Sequence, residues 1–353
     1  MKLRPCTALA ALAVALLPTN QLSACTRVVY LGGEGLVTTA RSMDWMGPIY
    51  SDMWIFPRGM KRNGAAGAQS LEWTSSWGSV VTSAFDLAST DGMNERGLVA
   101  NLLYLAESKY VTPTASDARR TISITAWLQY VLDSYATVAE AVEAMRKDAF
   151  YVLPTMTPDG HAGQVHLALS DPTGDSAIFE YLGGKLVIHH GRQYQVMTNS
   201  PPYDEQLALN AYWKTVGGEA MLPGTDRASD RFVRASFYTG AVKKTADPVD
   251  AVAAAFSIIR NASVPLGMQP PPGQPNIAST LWRTVADQKN RVYFFESTRS
   301  PNVFWVNLAD VDFAPGAPVK KLKLANGTEI YAGNVAAKFE TAQPFVFKAA
   351  DAK

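Results

Sequence analysis

Cys25 is the residue best placed to do chemistry, because removal of the segment before it would make it both the first residue and the sole cysteine of what remains. An N-terminal cysteine carries its own base. Its α-amine has a reference pKa of about 7.7–8.0 and its thiol one of about 8.5, so a proton passes between them near neutral pH. Such a nucleophile needs no histidine. The four histidines, His161, His166, His189 and His190, show no HExxH spacing and no thiol company, which gives no support to a zinc site. His189 and His190 read as the end of a strand. The chain has no GxSxG elbow, no SxxK or KTG, and no glycine-rich phosphate loop. Neither a metal nor an organic cofactor is expected.

Residues 1–24 have the layout of a cleaved export signal. Lys2 and Arg4 supply the positive start, and Ala8 to Leu17 form an apolar run too short to span a bilayer. Pro18 to Gln21 break it, and Leu22-Ser23-Ala24 present a small residue for cleavage. Cys6 leaves with this segment, so no intrachain disulfide is expected in the exported, periplasmic or secreted product. Leu22-Ser23-Ala24-Cys25 also fits a lipobox, in which the sulfur takes a diacylglycerol anchor. That reading makes the chain a lipid-anchored binding protein, because a lipidated, N-acylated cysteine can use neither thiol nor amine. Two features oppose it: the polar Pro18–Gln21 spacer, and the strand-like run from Thr26 to Leu31 where a loose tether would be expected.

The elements that position Cys25 must come from the remaining residues 25–353, taken as one domain. About 330 residues are enough to bury a large core. The net charge is +1 with both signs evenly mixed, so nothing marks a nucleic-acid or anionic membrane partner. A small-molecule partner is expected, and no further stretch is long and apolar enough for a membrane span. Loops are expected at Arg58 to Gly64 and at Pro270-Pro271-Pro272-Gly273.

Strand patterns fall at Arg27–Leu31, Leu36–Ser42, Val80–Ala84, Gly97–Leu105, Gln164–Leu169, Ala177–Tyr181, Lys185–His189 and Arg192–Met197, then at Ser279–Asp287, Arg291–Glu296 and Val303–Asn307. Helical spacing covers Ile122–Ser134, Val138–Lys147, Asp204–Val216, Ser229–Tyr238 and Pro248–Arg260, with Ser229 or Asp230 suited to starting a helix. Runs of strands between helix pairs predict layered α+β packing.

Five motifs in order then carry a specific resemblance. They are Cys25-Thr26, Ala40-Arg41-Ser42-Met43-Asp44-Trp45, Asp91-Gly92-Met93-Asn94-Glu95-Arg96-Gly97-Leu98, Met197-Thr198-Asn199-Ser200-Pro201-Pro202, and Leu222-Pro223-Gly224 followed by Asp230-Arg231-Phe232-Val233-Arg234. Across essentially all of residues 25–353 the chain resembles the choloylglycine hydrolase family, which includes penicillin V acylases and conjugated bile salt hydrolases. The resemblance implies the four-layer αββα fold of the N-terminal nucleophile (Ntn) hydrolases.

It also implies roles. Cys25 attacks an amide carbonyl to give a thioester, its α-amine carries the proton, Asp44 holds that amine, and Arg41 near the sulfur favours the thiolate. The oxyanion is held by the Asn199 side-chain amide and by the backbone N–H of Tyr104. Arg231 matches the family arginine near the nucleophile, with Arg234 as the alternative. Tyr104 stands where bile salt hydrolases typically have Asn, which leans toward the acylase branch; Asn101 is three residues out of register for that role. The short stretch from Asn199 to Arg231 lacks a longer oligomerisation loop and leaves a homo-oligomer open.

Met43, Trp45, Met46, Ile49, Tyr50 and Trp54 form a run of large apolar groups suited to an aromatic or fatty acyl chain, or for part of them to the core. The expected substrate is an amide with an apolar acyl group, penicillin V or an N-acyl homoserine lactone, with conjugated bile salts as the alternative.

Overall fold

Segments such as Thr26–Leu31 and Ser79–Ala84 are buried along almost their whole length, so both faces of each must be covered. The computed structural model, which describes residues 25–114, 117–268 and 278–351, shows how. The expectations for residues 1–24 and for Pro270-Pro271-Pro272-Gly273 fall outside these residues.

A seven-stranded sheet runs in the order Val196–Met197, Thr26–Leu31, Val37–Trp45, Ser279–Asp287, Val292–Ser297, Val303–Asn307, Gly333–Asn334. A nine-stranded sheet runs Lys185–His190, Ser176–Leu182, Val165–Ser170, Val99–Tyr104, Ala88–Asn94, Ser79–Ala84, Met53–Phe56, Lys320–Leu322, Glu340–Thr341. Helices α1 (Ile124–Ser134) and α2 (Val138–Arg146) cover the outer side of the nine-stranded sheet. Of α3 (Tyr203–Val216), α4 (Ala228–Ala241) and α5 (Pro248–Asn261), the last two lie on the seven-stranded sheet and α3 packs on α4. The result is helix, sheet, sheet, helix, the layering predicted from the sequence.

Strand alternation explains why this needs two cores. Val80, Ala168 and Ile178 face the other sheet and share a core with Ala286, Tyr293 and Phe295. Their neighbours Val81, Leu167 and Phe179 face outward onto Trp127, Leu128 and Val131. Val292–Ser297 lies farther from the helices and alternates between buried and half-exposed positions.

Polar ties cross the interior between the sheets. Asp91, buried in the Ala88–Asn94 strand, accepts hydrogen bonds from Asn101 at 2.7 Å, from Thr284 at 3.0 Å, and from the Tyr293 hydroxyl. Gly92 beside it has no room for a side chain, since a Cβ would sit 2.7 Å from the Val80 carbonyl oxygen. Asn94 closes the turn that follows: its amide nitrogen donates to the carbonyls of Leu132 and Tyr135, and its oxygen accepts from the N–H groups of Arg96 and Leu98. The Asp91–Leu98 motif therefore fastens the sheets and α1 together.

Several expectations need correction. Arg192–Met197 is a strand only at Val196–Met197, because the preceding residues turn around Gly191. Ala88–Asn94 is a strand that its polar residues and glycine disguise. Met53–Phe56 pairs within the nine-stranded sheet, and Arg58–Gly64 is not all loop, since Lys61–Asn63 pairs with Glu72–Thr74. Helix α4 begins at Ala228 after Arg227, so neither Ser229 nor Asp230 caps it.

Asn94→Ala strands two carbonyls and two N–H groups that the side chain now satisfies. It should lower the unfolding free energy by about 2–4 kcal/mol, read from urea denaturation of the full chain; a loss below about 0.5 kcal/mol, the level of an exposed ion pair, would contradict this account of the turn.

Candidate active site

Period two in the Val37–Trp45 strand sorts the site into two sides. Arg41, Met43 and Trp45 face a cavity between the sheets, together with Cys25. Ser42 and Asp44 face the opposite way, toward Arg231. Register brings the strands together: Thr26 lies opposite Ser42, and Thr280 opposite Asp44.

Cys25 is 2% exposed and sits just before the Thr26–Leu31 strand. Its nitrogen, a peptide nitrogen in the full-length chain, donates to Asn199 Oδ1 at 2.5 Å. Arg231 of α4 donates to the same oxygen at 2.9 Å, to the Cys25 carbonyl at 2.7 Å and to Thr26 Oγ1 at 2.6 Å. Arg234 points elsewhere, to the carbonyls of Pro223 and Thr225. Geometry therefore selects Arg231 as the arginine beside the cysteine.

Asp44 Oδ1 accepts from Thr280 Oγ1 at 2.5 Å, while Oδ2 lies 3.5 Å from Ser42 Oγ and 4.0 Å from Arg231 Nη1. Burial pushes this carboxyl up to about 6, against the pull of Arg231 and of the Thr280 hydrogen bond. Arg41 Nη2 lies 3.9 Å from Cys25 Sγ, 3.5 Å from Met43 Sδ and 3.0 Å from the Leu102 carbonyl, and the guanidinium stacks over Trp282. Burial pushes the Cys25 thiol up more than Arg41 draws it down. In the full-length chain Arg41 alone therefore does not make a thiolate.

Asn199 Nδ2 donates to the Tyr104 carbonyl at 2.7 Å. A primary amide has two N–H groups, so this contact orients one and leaves a second. Leu105 N–H bonds across the sheet to Gln164. The main-chain groups of Tyr104, one residue earlier, consequently point the other way, toward Asn199.

Further residues hold these in place, and sequence reasoning did not single them out. Gln206, a buried polar residue of α3, donates to the carbonyls of Asn199 and Pro201, and its oxygen accepts from Thr198 Oγ1. His166 contacts the Thr198 carbonyl at 2.8 Å through Nε2 and Glu180 at 3.0 Å through Nδ1. Burial would raise Glu180, but the hydrogen bond from His166 and the His189 ring 3.8 Å away outweigh it and draw the carboxyl down to about 2. A buried polar residue in an otherwise amphipathic helix, and a histidine inside an apolar strand, were the available signals. His189 and His190 do end a strand. Among the described residues no group of three or more His, Cys, Asp or Glu side chains is arranged to hold a metal ion.

The cavity holds about 730 Å³ of empty space including its mouth, and its lining is almost entirely apolar, with Met43, Trp45, Ile49, Phe85, Leu87 and Leu102 prominent. Trp45 meets the Tyr104 ring edge-on at 6.4 Å. The expected apolar run thus divides. Met43, Trp45 and Ile49 line this cavity, whereas Met46 and Tyr50 are 45% and 58% exposed, and Trp54 stacks on Phe56 in the outer core.

Residues 25–320 match the family model described as linear amide C-N hydrolases, choloylglycine hydrolase family. The chain belongs to this family, and it is a hydrolase of carbon–nitrogen bonds in linear amides with the Ntn-hydrolase fold. It is 51% identical over 350 residues to a penicillin V acylase of Pectobacterium atrosepticum, covering 92% of each chain. The structure of penicillin V acylase from Agrobacterium tumefaciens matches with a TM-score of 0.86 at 54% identity, covering 92% of this chain and 100% of that one. A bile salt hydrolase/transferase of Clostridium perfringens is 26% identical over 271 residues, 69% of this chain and 80% of that protein.

The Asp44 environment makes a stability prediction. Its carboxyl titrates near 6 in the folded chain and near about 3.9 unfolded, so the folded state holds the proton more tightly. The stability this contributes is present in acid and lost as pH rises through about 6. Asp44→Asn mimics the protonated carboxyl. Relative to wild type, the full-length variant should therefore gain stability between about pH 4 and 7, measured by urea denaturation at several pH values; a pH-independent difference would contradict the assignment.

Proposed function

We propose that this chain is an exported N-terminal cysteine amidohydrolase that cleaves penicillin V or an N-acyl homoserine lactone through a thioester acyl-enzyme. One observation carries the reading. The Cys25 nitrogen is clasped by Asn199 among buried charged groups, while its sulfur lies at the wall of an apolar cavity. Loss of residues 1–24 turns that nitrogen into an amine beside Asp44 and Arg231.

The thiol then gives its proton to the amine as sulfur bonds to the substrate carbonyl carbon, and Asp44 balances the ammonium. The free N–H of Asn199 Nδ2 and the Tyr104 N–H receive the oxyanion. Collapse breaks the carbon–nitrogen bond, and the ammonium returns its proton to the leaving amine. Water attacks the thioester by the same route in reverse, giving its proton to the amine, and the acid departs as the thiol is restored. Arg231 fixes the Cys25 carbonyl and the Asn199 oxygen, and Arg41 stabilises the developing thiolate across 3.9 Å.

Both proposed substrates place an apolar acyl group on a secondary amide, which suits the cavity walls with Met43 and Trp45 as contacts. Penicillin V leads because relatives above 50% identity carry that name. Conjugated bile salts are the alternative, at 26% identity. The anchored, non-catalytic reading is disfavoured by the burial of Cys25, which keeps its sulfur inside the protein and away from a membrane surface.

The direct test is the intact mass of protein recovered from its native compartment, assayed on the same sample with penicillin V and acyl homoserine lactones. A chain beginning at unmodified Cys25 that cleaves amides is expected. A lipidated, inactive Cys25 would sink the reading. Asn199→Ala should lower kcat by about 10²–10³-fold, the usual cost of an oxyanion donor; an effect confined to KM would move Asn199 into substrate binding.

A further inference from the structure

The family-model match ends at residue 320, yet the chain continues and returns to the cavity. Phe345 and Phe347 pack on each other, and Phe345 also meets Trp54 and Phe56 edge-on. Beyond them the arm bonds to the cavity walls. Lys348 N–H donates to the Leu87 carbonyl, and the Lys348 carbonyl accepts from Ser123 Oγ at 2.9 Å and Thr125 Oγ1 at 2.8 Å. Leu87, Thr125 and Lys348 all line the cavity.

The arm ends on a second wall. Thr155–Gly163 folds back on itself, with a bridge between Met156 and Ala162 and hydrogen bonds from Thr157 N–H to the His161 carbonyl and from Gly163 N–H to the Thr155 carbonyl. Thr155, Met156, Thr157, Pro158, Ala162 and Gly163 face the cavity. Two carboxylates fasten this hairpin. At its tip Asp159 accepts from Trp45 Nε1 at 2.6 Å. At its base Asp351 takes Thr155 Oγ1 on one oxygen at 3.0 Å and Met156 N–H on the other at 2.8 Å, and its own N–H donates to the Pro154 carbonyl. Such a hairpin has little apolar burial of its own, since Met156 is 42% exposed, so its position depends on these bonds.

We propose that the C-terminal arm, acting through Asp351, sets the length of acyl chain the cavity accepts by holding the Thr155–Gly163 hairpin against it. Asp351 is a positioning residue: it touches the hairpin, and the hairpin touches the acyl group. The proposal rests on the reading of the cavity as the acyl site. Released at its base, the hairpin gives way and the cavity lengthens, which favours long chains and loosens contact with short ones.

The test compares wild type, Asp351→Ala and a chain ending at Phe347, all processed at Cys25. Calorimetric affinities are taken for free acids from butanoate to dodecanoate, KM and kcat for the matching N-acyl homoserine lactones, and hydrogen exchange across Pro154–Gly163. The affinity ratio of dodecanoate to hexanoate should rise about threefold in Asp351→Ala and about tenfold in the truncated chain, up to the lower end of the scale set by one methylene gained or lost in a pocket. Exchange in the hairpin should quicken, and the kinetic change should fall in KM more than in kcat. An unchanged length profile, unchanged hairpin exchange, or failure of wild type to bind any of the acids would overturn the proposal. If wild type binds the acids and the ratio shifts while no amide is cleaved, it is the functional reading that fails. Should the truncated chain not fold, Asp351→Ala carries the same comparison.

Discussion

The site depends on fixing one nitrogen, that of Cys25, inside the protein. If, as proposed, nucleophile and base belong to one residue, no side-chain torsion can bring them together later, so the backbone itself must be placed. Three distant segments do this. Asn199 accepts from the nitrogen, Arg231 holds both the Cys25 carbonyl and the Asn199 oxygen, and the Val37–Trp45 strand fixes the residue that follows through Thr26 N–H to Ser42 Oγ. Each comes from a different layer or loop, which is why the αββα sandwich must be complete for the arrangement to exist.

That placement buries Arg41, Asp44 and Arg231 around Cys25, and burial opposes the charges of Asp44 and Arg231. The effects at Asp44 and Cys25 go the same way: both are pushed toward their neutral forms in the full-length chain. Under the proposed processing, an ammonium introduced beside them on loss of residues 1–24 would reverse the balance, since it would attract the carboxylate and the thiolate alike. Processing on this view supplies the base and also the charge that makes the buried nucleophile usable.

On the proposed reading, substrate choice falls mainly on parts of the chain apart from Asp44 and Arg231, with Arg41 shared between the cavity wall and the charged cluster. Arg41, Met43 and Trp45 of the Val37–Trp45 strand, the Thr155–Gly163 hairpin and the C-terminal arm wall the cavity, whereas Ser42, Asp44 and Arg231 lie behind it. A cavity bounded by a hairpin and an arm can change its length without disturbing the cysteine. This separation fits a family in which relatives share the fold and act on different amides.

Cys25 as a candidate nucleophile, Arg41 and Asp44 on opposite faces of one strand, and the ordered motifs were legible in the sequence because they are local: spacing alone sets which residues share a strand face. Most apolar strands and all five helices were legible for the same reason, since their periodicity is written into neighbours. Ala88–Asn94 was not, because a strand carrying Asp91 and Gly92 makes sense only once Asn101, Thr284 and Tyr293 stand around it. Thr280 and Asp351 were equally invisible, each acting on a residue far away in the chain, and the roles of Gln206 and His166 emerged only from their partners in the folded chain. The choice of Arg231 over Arg234 came from the direction in which α4 presents its face. Sequence by itself determined the family motifs, the candidate nucleophile and the layered α+β class; only the tertiary structure decided which distant groups surround the Cys25 nitrogen and close the cavity, because burial and hydrogen bonding between remote segments exist only after the chain has packed.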